Sequence, residues 1–288
     1  MKPHRRPIPA LVLVAILVGA RSFAADAPKP MTAILGATNR EVRLLTQSLD
    51  SPSTFTVRGI PFHLGALKGR QVLLAATGVG KVNAAMTTTL LLDHFEPKEV
   101  LFTGKAGGIN PDLLPGDIVI AERTAIHDFG DVTNDGMKRG GAWNPINHKQ
   151  NPLFFPANER LLKLSETAKR NVRLRPIQTS AGERQPRLFQ GVVVTGDVFV
   201  ASEEKKKELR EQLGADAVEM EGAAVAQVCH GWGVPCLVIR SISDLANENV
   251  GTDMQSFGQI AAENSAQLVM SLVEAMQESN ETTERPTK

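Results

Sequence analysis

Several things are scarce or missing in this 288-residue chain, and each narrows what it can be. There are two cysteines, Cys229 and Cys236, with no CxxC pair and no Cys/His spacing suited to zinc, so no metal centre is expected. Both sit in apolar surroundings, near the end of one helical stretch and inside the next strand. The reading is two buried free thiols, with a disulfide as the alternative in an exported protein. The 32 basic and 31 acidic residues form no long block, which argues against a nucleic-acid arm or an acidic tail. No Gly-x-Gly-x-x-Gly with a partner acid is present. The segment Thr77-Gly-Val-Gly-Lys-Val-Asn83 fails as a phosphate loop because Ala75 and Val82 occupy its first Gly and its Ser/Thr positions. There is no internal repeat. Together these absences favour chemistry without a cofactor.

What is present begins with a leader. Lys2, Arg5 and Arg6 precede an apolar stretch from Ile8 to Ala20, broken only by Pro9, and Ser22-Phe-Ala-Ala25 supplies small residues for cleavage. The layout is that of a secretory signal peptide over residues 1–25, implying export, to the periplasm in a Gram-negative source. The apolar stretch is short of the roughly 20 residues of a comfortable membrane span, so no stable membrane anchor is expected; an uncleaved anchor is the alternative. Cleavage after Ala24 or Ala25 removes Lys2, Arg5, Arg6 and Arg21, lowering the basic count from 32 to 28 against 31 acidic residues. A mildly acidic mature chain disfavours nucleic acid as a partner. Residues 26–30 read as a linker, 31–277 as one folded domain, and 278–288 as a polar disordered tail.

Within the domain, short apolar runs close on glycines or acids. They are Met31–Ala37, Gln71–Ala76, Val100–Gly108, Pro115–Ala121, Gln190–Val200 and Val234–Asp244, and they read as strands. Helical spacing follows over Asn39–Leu49, Ala84–Phe95, Asn158–Lys169, the small-residue stretch after Glu221, and Met254–Met276. Residues 129–157, rich in Gly, Asn and Pro, show no period and read as a long loop, a lid or an interface element. His148 within it reads as a surface histidine. Alternating strands and helices predict a three-layer α/β/α fold with a mixed, largely parallel central sheet.

The candidate functional residues gather where strands end. Glu219 and Glu221 follow one strand, Arg240 and Asp244 lie on another, and Glu41 sits in the first turn after the first strand. In open α/β sheets ligands bind at that edge. Glu41 has a plain alternative, since helix dipoles favour acids in a first turn, and Phe199 would equally serve as a core aromatic.

The segments Val218-Glu-Met-Glu-Gly-Ala-Ala224 and Ile239-Arg-Ser-Ile-Ser-Asp244 resemble signatures of the nucleoside phosphorylase/nucleosidase superfamily. Within it, the chain is most similar to 5′-methylthioadenosine/S-adenosylhomocysteine nucleosidases. The resemblance implies hydrolysis of the N-glycosidic bond of 5′-substituted adenosines, with no cofactor and a homodimer whose partner completes the pocket. It implies Glu41 as the base for water and Asp244 as the acid for the purine. Glu221 would hold the ribose hydroxyls, Met220 the sugar face, Phe199 the adenine ring, and the Val200 backbone its Watson–Crick edge. Glu219 and Arg240 would order the water network, and Phe257 would line the 5′-substituent pocket. One position departs: the family usually carries Ser where this chain has Lys105. A lysine there lowers a neighbouring carboxyl's pKa, or binds phosphate and makes a phosphorylase, or faces away. A fold retained for nucleoside binding or storage without catalysis is the third reading.

Overall fold

The computed structural model describes residues 31–179 and 182–284, with side chains to residue 279. The expected leader and linker, residues 1–30, lie outside the described residues, as do the last four. The chain opens with β1 (Thr32–Gly36) and α1 (Asn39–Gln47). A meander follows, β2 (Asp50–Val57), β3 (Ile60–Leu67) and β4 (Arg70–Ala76), then α2 (Lys81–Phe95) and β5 (Glu99–Gly108). After β6 (Ile118–Ile126) come β7 (Gly130–Thr133), β8 (Gly136–Arg139), β9 (Phe154–Pro156) and α3 (Glu159–Asn171). The last third holds β10 (Ile177–Thr179), β11 (Gly182–Arg184), β12 (Leu188–Thr195), α4 (Glu203–Leu213) and β13 (Ala217–Glu219). It ends with α5 (Gly222–Trp232), β14 (Cys236–Asp244) and α6 (Val250–Glu284).

The main sheet runs β13-β12-β6-β14-β5-β1-β4-β3-β2, with β9 added on β6. Its centre is parallel (β14–β5, β5–β1, β1–β4), while the β2–β3–β4 meander and the β14–β6 pair are antiparallel. The predicted mixed, largely parallel sheet is therefore the one observed. A further antiparallel pairing of β13 on β5 curls this half of the sheet back on itself (Ala217↔Gly108, Val218↔Gly107). It draws the ends of β5, β12, β13 and β14 together.

Strands buried on both faces read as continuous apolar runs rather than alternating ones. In β1 all five residues are buried: Ala33 and Leu35 face one core with α2 and α5, and Ile34 faces the other with α1, α3 and α6. α1 is held by Val42 and Leu45, spaced to point inward together. Cys229 and Cys236 are free thiols, Cys229 buried and Cys236 half-buried. Hydrogen bonding to Cys236 and burial push the Cys229 thiol pKa well up.

Two expectations change. Residues 129–157 are not one long loop. They hold the β7–β8 hairpin, a bridge between Trp143 and Gln150, and β9 paired to β6. Strands of three or four residues are too short to show a period. The segment from residue 278, expected to be disordered, is helical as far as Glu284. Neither Gly nor Pro intervenes between Gly258 and Pro286, so a helix anchored by packed turns extends to Glu284, because adding turns costs far less than nucleating them.

Candidate active site

A cavity of about 260 Å3 opens at the carboxyl ends of these strands, and Glu41, Lys105, Phe199, Val200, Glu219, Met220, Glu221 and Asp244 all line it. Arg240, wholly buried, stands behind them. The curl of the sheet explains how residues from such distant parts of the chain converge.

The arginine organises one wall. Its Nη2 donates to Glu219 Oε2 and lies 3.4 Å from Glu221 Oε2, and its guanidinium stacks 4.2 Å from the Phe102 ring centroid. Burial disfavours the Arg240 cation, but Glu219, Glu221 and Glu41 around it more than reverse that and raise its pKa. Glu219 is heavily committed: it accepts the Glu221 and Gly222 backbone N–H groups and the Thr195 hydroxyl. It thus caps α5 at its N-terminus, the end that favours anions. Its task is to hold Glu221 in place.

Glu221 is the member turned to the cavity, with one contact from across it, where Gly80 N donates to Oε1 at 2.9 Å. Burial, then the Glu219 charge, pushes its pKa up to about 7, against the pull of Arg240. Three carboxylates surround one guanidinium here, and Glu221 makes the fewest hydrogen bonds of the three.

Glu41, also buried, reaches the same guanidinium from α1. Its Oε2 accepts Thr38 N at 2.9 Å and the Thr38 hydroxyl at 3.3 Å, and Oε1 accepts Lys105 N at 3.1 Å. The plain capping role and a place in the cavity therefore coexist. Close packing makes this possible: a Cβ on Gly104 would fall 2.1 Å from Arg240 Nη1 and 2.8 Å from Glu41 Oε1.

Asp244 ends β14. Burial raises its pKa, while hydrogen bonds from Ser243 Oγ (2.7 Å) and Ala246 N (3.0 Å) pull the other way. Lys105 is a lesser influence on it. The net direction is upward, so the lysine does not spoil this carboxyl as a proton donor. Phe199 is 57% exposed, not a core aromatic, and offers its ring at the cavity rim. The turn carrying it is pinned: Lys81 pairs with Asp128, Asp128 accepts Asp197 N at 2.7 Å, and Asp197 accepts Lys81 N at 2.8 Å.

One expected residue is elsewhere. Phe257 lines a separate cavity with Arg175 and Pro176, and Met254, one turn earlier on α6, borders the site instead. Met254 and Phe257 are three apart and so share one broad face of α6; the boundary between the two cavities falls within that face, and sequence spacing alone did not place it. Thr195, Ser243 and the Gly80 N–H were also not singled out. Thr195 and Ser243 lie at strand ends beside charged residues, which is the one signal available for them.

The chain matches the model of the phosphorylase superfamily over residues 32–274. A 5′-methylthioadenosine/S-adenosylhomocysteine nucleosidase of Mycobacterium bovis is 38% identical, the alignment covering 83% of this chain and 95% of the relative. A nucleosidase of the same name from Neisseria meningitidis, solved with methylthio-immucillin-A, superposes with a TM-score of 0.72 at 34% identity, covering 85% of this chain and 99% of that one. Another, from Colwellia psychrerythraea and solved with adenine, gives 0.73 at 32% identity, covering 86% and 96%. The carboxylate-lined cleft at the sheet edge is thus carried on a chain that belongs to the phosphorylase superfamily.

Proposed function

We propose that the protein hydrolyses the N-glycosidic bond of 5′-substituted adenosines, 5′-methylthioadenosine and S-adenosylhomocysteine among them, and releases adenine. The observation that carries this is the convergence on one cavity of a carboxyl with a raised pKa (Asp244), an exposed aromatic ring (Phe199) and a buried, hydrogen-bonded Glu41. Relatives bearing the nucleosidase name, one of them holding adenine, support it.

The chemistry follows from charge. As the C1′–N9 bond breaks, its electron pair goes to the purine and C1′ becomes cationic. Asp244 delivers a proton to N7, making the base a neutral leaving group. Glu221 accepts hydrogen bonds from the ribose hydroxyls, and its carboxylate with Glu41 stabilises the cation. Water adds to C1′ and gives its proton to Glu41. Phe199 stacks on the base, the Val200 backbone reads its edge, and Met220 packs on the sugar.

A homodimer is part of this reading. Val79, Val82, Met86, Val198 and Phe199 are all exposed apolar side chains on or near the cavity rim, a surface suited to a second copy. Export through the 1–25 leader completes it. The deciding assay is adenine release from 5′-methylthioadenosine by mature protein with and without phosphate. Release indifferent to phosphate, with free methylthioribose, is expected. A phosphate requirement would make the protein a phosphorylase, and ligand binding without release would make it a binding protein.

A further inference from the structure

Lys105 stands between two cavities. The second, of about 680 Å3, lies between α1 and α6 and shares Glu41, Lys105 and Met254 with the first. Its charged lining is Arg40, Arg43 and Lys105 against Glu41 and Glu263. Both acids are already engaged. Glu263 pairs with Arg175 and, at 3.6 Å, with Arg43, while Glu41 accepts from the Thr38 and Lys105 backbones. Arg40 and the Lys105 ammonium have no ion pair among the described residues. The ammonium is turned toward α6, where a Cβ at Gly258 would stand 3.8 Å from Nζ. The cavity therefore has an excess of uncommitted positive charge at the mouth it shares with the active site.

Orientation says what reaches that mouth. Phe199 and Asp244 mark the purine end of the first cavity and Glu221 the ribose. The ribose 5′ carbon then points to the remaining side, where Thr38, Glu41, Lys105 and Met254 border the opening.

We propose that the second cavity receives the substituent on the ribose 5′ carbon, and that Lys105 and Arg40 select substituents ending in a carboxylate over neutral ones of equal length. This rests on the nucleosidase reading above and deepens it. A carboxylate here gains charge-assisted hydrogen bonds without displacing an existing pair. A carboxamide of the same shape gains less. The neutral methylthio group leaves the cations unused.

The test compares kcat/KM for two adenosines whose 5′-thioether chains end in a carboxylate or in the matching carboxamide. The wild type should favour the acid by about tenfold, mainly in KM, and the ratio should shrink as salt is raised. In the double variant Lys105→Met/Arg40→Gln the ratio should fall to near one; taking it within each variant cancels any loss common to both substrates. Arg40→Gln alone, at an exposed position, reports a smaller fall should the double variant not fold. A wild-type ratio near one, or a ratio that survives the double substitution, overturns the proposal. So does adenine release that requires phosphate, which would give the cations to that anion. If neither nucleoside is cleaved, the nucleosidase reading fails separately. The ratio of dissociation constants for the same two compounds, measured by calorimetry, then decides the charge preference alone.

Discussion

Burial raises the Asp244 pKa, outweighing the two hydrogen bonds that favour its anion. As the proton donor to N7, Asp244 loses that proton in Asp244→Asn while shape and most contacts are preserved. Turnover should drop by about 10²- to 10⁴-fold, with adenine affinity in calorimetry changed little. A rate within tenfold of wild type would remove Asp244 from the acid role. Glu221 makes a prediction about stability. Its pKa is raised from 4.5 to about 7 in the folded protein. A carboxyl raised in this way contributes stability that is fully present below its unfolded pKa and is lost as pH rises through the folded one. Between pH 4.5 and 7 the melting temperature of the wild type should therefore decline relative to that of Glu221→Gln, which has no such group to ionise. Parallel melting curves for the two proteins across that window would show that Glu221 ionises normally.

At the scale of elements, the approach of Arg240 and Glu41 to β5 sets a limit that the strand's apolar pattern does not reveal. Gly104→Ala would drive a methyl group into both, at 2.1 and 2.8 Å. It should cost about 1–3 kcal/mol in denaturant unfolding, as overpacking does. Gly258→Ala, whose added carbon has room, should instead gain up to about 1 kcal/mol from helix propensity. Equal effects from the two would contradict the packing described. The same contrast explains what could be read without coordinates. β1, β5, β12 and β14 are apolar runs closed by glycines or charges, so the strands and the charges at their ends were legible. α1 announced itself through Val42, Leu45 and Leu49. Partnership was not legible: Glu219 and Glu221 are two residues apart and chemically alike, yet one is spent on α5 and Arg240 while the other faces the cavity. Nor was the boundary between the two cavities on α6, where Met254 and Phe257 are both apolar and only packing distinguishes them.

For the whole molecule, the apolar rim predicts association. Val82 is 77% exposed and Met86 50%, one turn apart on α2. Val82→Glu should yield a monomer in sedimentation and raise KM, since the partner would no longer shield the pocket. A dimer that survives this change would place the interface elsewhere. The sheet order carries a different consequence. β14 lies between β6 and β5, although it is the last strand to be synthesised. Everything before Cys236 must wait with the flanks of that gap unfilled, and the long sequence separation of the pairings adds to the delay. A nascent chain thus has no complete sheet to fold into until nearly its whole length has emerged. Pulse-labelled hydrogen exchange during refolding should show β5 and β6 gaining protection together with β14; protection of β5 well ahead of β14 would contradict this. A polypeptide whose keystone strand comes last cannot close its sheet until its synthesis is nearly over.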